Sequence, residues 1–336
     1  QHSIDGGSLK FDYFSSDEKN RLSVFASAAN TDRDSYYGPG NDPLKAYGKT
    51  TDLTAMGGAQ YVHTFDKCFF MPSDLTAGLE YNRDRLKDNM WGYNRHTDQT
   101  VNIYSAFLQN EWKNDRWGIL IGGRLDKHNM VDNVIFSPRA NLRFNPTQNI
   151  NLRLSYSSGF RAPQAFDEDM HIENVGGTVA MIERAKDLKE EKSQSFSVSA
   201  DMYHRFGAFQ TNLLIEGFYT RLTDVFVLGE PYDRGDGILV KTRSNGPGAK
   251  VMGLTLEGKV AYLSILQIQA GLTLQRSRYD EPHKWHDDAP AEKKIFRTPD
   301  TYGYFTATCT PIKPLSIALS GTYTGRMLVQ RMDITA

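Results

Sequence analysis

Cysteine is nearly absent from this chain. The two residues, Cys68 and Cys309, lie far apart, so the chain has neither a disulfide framework nor a metal-type cysteine spacing. No stretch approaches the roughly 18 consecutive apolar residues of a membrane helix. That lack leaves open a membrane barrel, whose alternating strands hide an apolar face from any running average. Excess charge of either sign is missing too: 39 basic residues meet 40 acidic ones, which excludes the basic footprint of a nucleic-acid binder. Amphipathic helical periodicity is almost wholly absent. There is no G-x-S-x-G, H-E-x-x-H or phosphate-loop pattern, so no enzyme class is indicated. The paired acids Asp167 and Asp169 sit among other loop charges and make a poor glycosidase couple.

What the chain does have is alternation. In 151–157, Leu152, Leu154 and Tyr156 oppose Asn151, Arg153, Ser155 and Ser157. In 139–145, Leu142 and Phe144 oppose Arg139, Asn141 and Arg143. In 195–202, Phe196, Val198 and Met202 oppose Ser195, Ser197, Ser199 and Asp201, and in 266–275 Leu272 and Ile268 oppose Gln267, Gln269 and Thr273. Period two with one apolar and one polar face predicts antiparallel strands. About fourteen are expected, near 8–15, 21–34, 51–64, 74–86, 98–112, 116–127, 136–145, 150–158, 192–205, 208–226, 250–262, 265–278, 301–310 and 315–328.

The connections alternate as well. Short turns such as 16–20, 113–115, 145–149, 206–208 and 263–265 interleave with long polar segments at 35–50, 87–98, 128–136, 159–191, 228–249 and 279–299. Tight turns on one side and long loops on the other are the pattern of an outer-membrane barrel. The polar face is rich in Ser, Thr, Asn, Gln and Arg rather than Lys and Glu, which suits a lumen better than the wetted face of a sandwich. The expected fold is therefore an all-β transmembrane antiparallel barrel with long extracellular loops and short periplasmic turns.

Five segments in order, GGRLDKH (122–128), FSPRANLRFNPTQNINLRLSYSSGFRAPQAFDED (136–169), EGFYTRLTDVF (216–226), Asn245 with AKVMGLTLEG (249–258) and RTPDTYGYF (297–305), resemble the barrel of TonB-dependent outer-membrane receptors. The resemblance is greatest to the Bacteroidetes siderophore- and cobalamin-receptor-like branch. It implies a barrel of about 22 strands when complete, of which 1–336 would be a part lacking the plug domain, the first strands and the last strands. It implies a bacterial outer-membrane receptor that imports a scarce nutrient, foremost a ferric siderophore, with cobalamin or haem as alternatives. Its expected partners are the TonB complex through the plug, the lipid bilayer and the ferric chelate, with no nucleic acid, resident cofactor, metal or catalytic residue. A barrel with an adhesive, structural or enzymatic role is the reading from another class.

Ligand contact is expected from the outer loops, where backbone is released from the closed ladder. Loop 159–191 supplies Arg161, Asp167, Glu168, Asp169 and His171 for contact with a ligand or the plug, with Arg161 nearest the strand and suited to a plug-facing or wall-facing structural role. His283 and His286 flank Trp285 in an H-x-x-H pattern that on a loop makes a weak metal or haem site. Tyr36, Tyr37, Tyr47, Trp91, Tyr93 and Tyr232 offer rings to a planar ligand or to a membrane girdle.

Overall fold

The structure is a computed structural model describing residues 1–36, 47–91, 95–164, 173–175, 178–235, 239–284 and 290–329. The first eight strands are β1 (His2–Phe14), β2 (Asn20–Tyr36), β3 (Tyr47–Cys68), β4 (Met71–Met90), β5 (Arg95–Lys113), β6 (Trp117–His128), β7 (Ile135–Thr147) and β8 (Ile150–Arg161). Two short strands follow, β9 (Glu173–Val175) and β10 (Thr178–Arg184), then β11 (Glu191–Phe206) and β12 (Phe209–Thr223). Three more short strands come next: β13 (Phe226–Leu228), β14 (Tyr232–Asp233) and β15 (Leu239–Asn245). The chain continues with β16 (Ala249–Tyr262), β17 (Leu266–His283), β18 (Glu292–Lys294), β19 (Thr301–Ile312) and β20 (Leu315–Thr324).

Fourteen strands form one path, β1-β2-β3-β4-β5-β6-β7-β8-β11-β12-β16-β17-β19-β20, with β18 attached to β17. Every pairing along the path is antiparallel, and each strand neighbours the next long strand in sequence. This is a meander, the connectivity that tight turns impose. β1 and β20 do not pair with each other among the described residues.

The register keeps the two chemistries apart. Leu154 stands opposite Leu142 and Val198, and Tyr156 opposite Phe196, so apolar residues meet apolar residues over this part of that face. One residue along, Ser155 bonds Ser197 at 2.6 Å, Ser195 bonds Thr220 at 3.0 Å and Thr255 bonds Thr273 at 3.1 Å. The apolar face is bare: Leu9 is 80% exposed, Leu79 66% and Leu319 62%. A continuous apolar wall of this extent is untenable in water and needs lipid. We call it the outward face and its polar opposite the inward face.

Some strand neighbours need glycine on the inward face. A Cβ on Gly78 would lie 2.3 Å from the Phe107 ring, which occupies that space opposite it in β5. The same ring carries the Arg124 guanidinium at 5.9 Å, and Arg124 pairs with Glu80 at 2.7 Å and Asp126 at 2.8 Å.

Several expectations need correction. The strands expected at 51–64 and 74–86 run further towards each other: β3 and β4 meet in a hairpin across Phe69 and Phe70 alone, with Phe69 at φ 62. Segments 159–191 and 228–249 are not plain loops. They fold into a second, five-stranded sheet of order β13-β15-β10-β9 with β14 against β15, in which β10 and β15 run parallel. Likewise the described residues of 87–98 are largely strand, and so are the two described ends of 35–50, because β4 reaches Met90, β5 starts at Arg95, β2 reaches Tyr36 and β3 starts at Tyr47. The wall therefore projects well beyond the ten or so residues that cross a bilayer.

Candidate functional site

Burial is concentrated at the loop end. Inward-facing Leu86, Asp88 and Met90 of β4, Gln99 and Val101 of β5, and Asp126 and His128 of β6 are all buried, as are Met181 of β10 and Val240 of β15. The second sheet thus caps the inward face of the projecting wall. Its attachment is polar and specific. The Arg184 guanidinium donates to Gln99 Oε1 at 2.9 Å and to the Pro163 carbonyl at 2.9 Å. Asn245 donates to the Lys189 and Asp224 carbonyls at 3.1 and 2.8 Å and accepts the Lys189 N–H at 2.8 Å, joining the two capping segments. His128, fully buried, accepts the Met130 N–H on Nδ1 at 3.1 Å and lies 3.2 Å from Gln164 Oε1 through Nε2.

Between cap and wall lies a cleft of about 760 Å³. Among the described residues its charged lining is Arg95, Arg184, Lys186 and Arg234 with the acid Glu183, and His96 lies beside them. Arg95 is fixed by Asp88 at 2.7 Å, and Asp88 also accepts from Thr50 at 2.6 Å. Arg234 stands 3.8 Å from Glu183. Lys186 is exposed and makes no bond to another described residue. Four cations around one acid, counted among the described residues, make a positive concavity, which attracts anions through focused field and charge-assisted hydrogen bonds. Near the cleft, Glu190 is held below the ordinary carboxylate range: burial pushes it up, but its own backbone N–H and the Lys192 ammonium at 3.0 Å outweigh that.

The expected site residues scatter. Arg161 lies at the end of β8 opposite Glu191, its guanidinium 5.6 Å from the Phe226 ring, and Glu191 accepts the Phe226 N–H at 2.9 Å. That corner ties cap to wall. Tyr36 pairs in register with Tyr47, which stacks on Trp91 at 6.0 Å. The register carries both tyrosines onto the outward face, and none of these three rings lines the cleft. His283, well past the membrane-crossing part of β17, packs 5.9 Å from Tyr279, and burial pushes its pKa down against a weaker pull from Glu230. Asp167, Glu168, Asp169, His171, Tyr37, Tyr93, Trp285 and His286 lie outside the described residues. The sequence reading missed Arg95, Arg184, Lys186 and Arg234, which come from three separated segments with no spacing to mark them.

Residues 2–327 match the model of the TonB dependent receptor-like β-barrel family. The chain belongs to that family. It is an outer-membrane receptor barrel, and its strands cross the membrane as the exposed apolar face requires. Similar solved structures include the siderophore receptor PirA from Pseudomonas aeruginosa, with a TM-score of 0.73 and 15% identity over 96% of this chain and 56% of that one. Another is the ferric-catecholate import receptor Fiu from E. coli K12, with a TM-score of 0.68 and 12% identity over 97% and 54%. A third is a mutant of the ferric enterobactin receptor PfeA from Pseudomonas aeruginosa, with a TM-score of 0.71 and 17% identity over 96% and 49%. The chain thus spans about half the length of these receptors. A search of curated proteins finds no match.

Proposed function

We propose that this TonB-dependent receptor barrel takes up a ferric siderophore, energised by TonB acting through a plug domain within the barrel. The observation that carries the reading is the cleft at the loop end, where Arg95, Arg184, Lys186 and Arg234 surround one acid. Ferric catecholates and carboxylates are compact anions, and a fixed cationic concavity at the mouth concentrates them from dilute solution. The fold agrees with this, since siderophore receptors are among the solved structures that share it. Cobalamin and haem make less use of so many guanidinium donors. The chain's role is capture and passage, with no chemical step.

The test is growth. Cells lacking other iron receptors and carrying the full-length receptor should grow on a ferric catecholate under iron limitation. That growth should vanish when TonB is removed. Growth that persists without TonB would refute energised uptake. Growth on haem but on no siderophore would refute the substrate class.

A further inference from the structure

The outward face of β4 changes character abruptly. Leu75, Ala77 and Leu79 lie on the apolar wall, Tyr81 follows, and then come Arg83, Arg85 and Lys87 in the same period-two column. Tyr81 packs against Tyr104 of β5 at 4.9 Å and donates to Asn102 at 2.8 Å, an aromatic and amide edge of the kind found where lipid tails meet headgroups. Arg83 stands opposite Asn102, and Arg85 opposite Thr100 of β5 and Leu53 of β3. Lys87 is engaged by Asp98 at 3.6 Å. Arg83 and Arg85 are exposed and have no acid partner among the described residues. The next cation on this face, Lys49, is exposed in β3 opposite Asn89. The acids of β2 on this face lie beside β3: Asp34 stands opposite Lys49 and Asp32 opposite Thr51, so neither neighbours Arg83 or Arg85 on β4.

Two guanidinium groups on alternate residues of a strand are about 7 Å apart along it, close enough to share one phosphate monoester or grip two neighbouring ones. They sit where the apolar band ends on the loop side, which is the level of the outer leaflet's headgroups. An unpaired arginine there can lay its methylene stem along the tails and its fork in the polar layer. We propose that Arg83 and Arg85, with Lys49 above them, form a binding site for the phosphorylated headgroup of the glycolipid that builds the outer leaflet. The apolar column Leu75–Leu79 and the Tyr81–Tyr104 pair carry the acyl chains of the same molecule. The site is separate from the cleft, since it lies on the opposite face of the same strands.

The experiment is native mass spectrometry of the full-length receptor in detergent, titrated with bis-phosphorylated lipid A and with the same lipid after phosphatase treatment. Wild type should retain the phosphorylated form and lose roughly thirtyfold in affinity for the dephosphorylated one. R83Q/R85Q should abolish that difference, R83K/R85K should keep much of it, and millimolar inorganic phosphate should not compete. Equal affinity of wild type for both lipids would overturn the proposal, and that arm needs no variant to fold. Undiminished phosphate preference in R83Q/R85Q would overturn the residue assignment, with heat-modifiable gel mobility confirming an assembled barrel.

Discussion

Arg184 of the capping sheet and Gln99 of the barrel wall are joined by a 2.9 Å hydrogen bond between segments 85 positions apart in sequence. That contact makes the mouth a built object. Strand β10 is held to β15 by parallel pairing and to the wall by Arg184, so the cleft has a fixed roof.

Loosening that roof should open the cap without dissolving the wall. Met181 and Val240, both essentially fully buried, stand opposite each other in the β10–β15 pairing. Met181→Ala should cost about 2–5 kcal/mol of local stability. Limited proteolysis should then cut within 173–245, while heat-modifiable mobility of the barrel stays normal. Cleavage confined to the wild-type sites would show that the cap does not depend on this contact.

The register makes a sharp contrast between neighbours. Leu154 faces outward between Leu142 and Val198, and Ser155 faces inward onto Ser197. Leu154→Arg should destabilise by about 2–4 kcal/mol if it lies near the midplane, and Ser155→Arg by much less. Urea unfolding in lipid vesicles reads both, and equal costs would contradict the assigned faces.

Asp88 and Arg95 are a buried pair beneath the cleft, with side-chain exposures of 2% and 10%. Removing one partner strands the other charge, so Asp88→Ala should cost about 3–5 kcal/mol. Asp88→Ala combined with Arg95→Met should recover much of the loss, which thermal unfolding of the two variants would compare.

Gly78 makes room for the Phe107 ring. Gly78→Val should push that ring, and the Arg124 stacked on it, out of place and cost about 1–3 kcal/mol. Gly78→Val with Phe107→Ala should cost less than the sum of the two separate changes. Strict additivity would contradict the close approach.

The wall was legible because lipid and lumen impose opposite chemistry on alternate residues. Leu152, Leu154 and Tyr156 could be assigned to one face before any coordinates, and the observed pairings keep them there. Legibility faded where that contrast fades. Outside the membrane, Lys87, Asp88 and Arg95 read as loop, yet β4 and β5 continue through them. The β3–β4 turn was invisible because Phe69 and Phe70 carry none of the usual turn chemistry. The second sheet was hidden for a different reason. Thr178–Arg184 and Leu239–Asn245 are short, and their parallel pairing joins distant segments with no local signal. The cleft followed the cap into obscurity, since its cations converge only once that sheet has formed. Arg161 lies at the rim, its guanidinium 5.6 Å from the Phe226 ring.

The central claim, a cationic cleft that captures an anionic iron chelate, is tested most directly by equilibrium binding of a ferric catecholate to the purified full-length receptor. Wild type is compared with K186Q/R234Q, two residues that leave the Arg95–Asp88 and Arg184–Gln99 supports intact. Each lost charge-assisted contact should weaken binding about tenfold, so the double variant should bind roughly a hundredfold more weakly, and wild-type affinity should fall with added salt. Binding by wild type that is unchanged in the double variant and indifferent to salt would contradict the account.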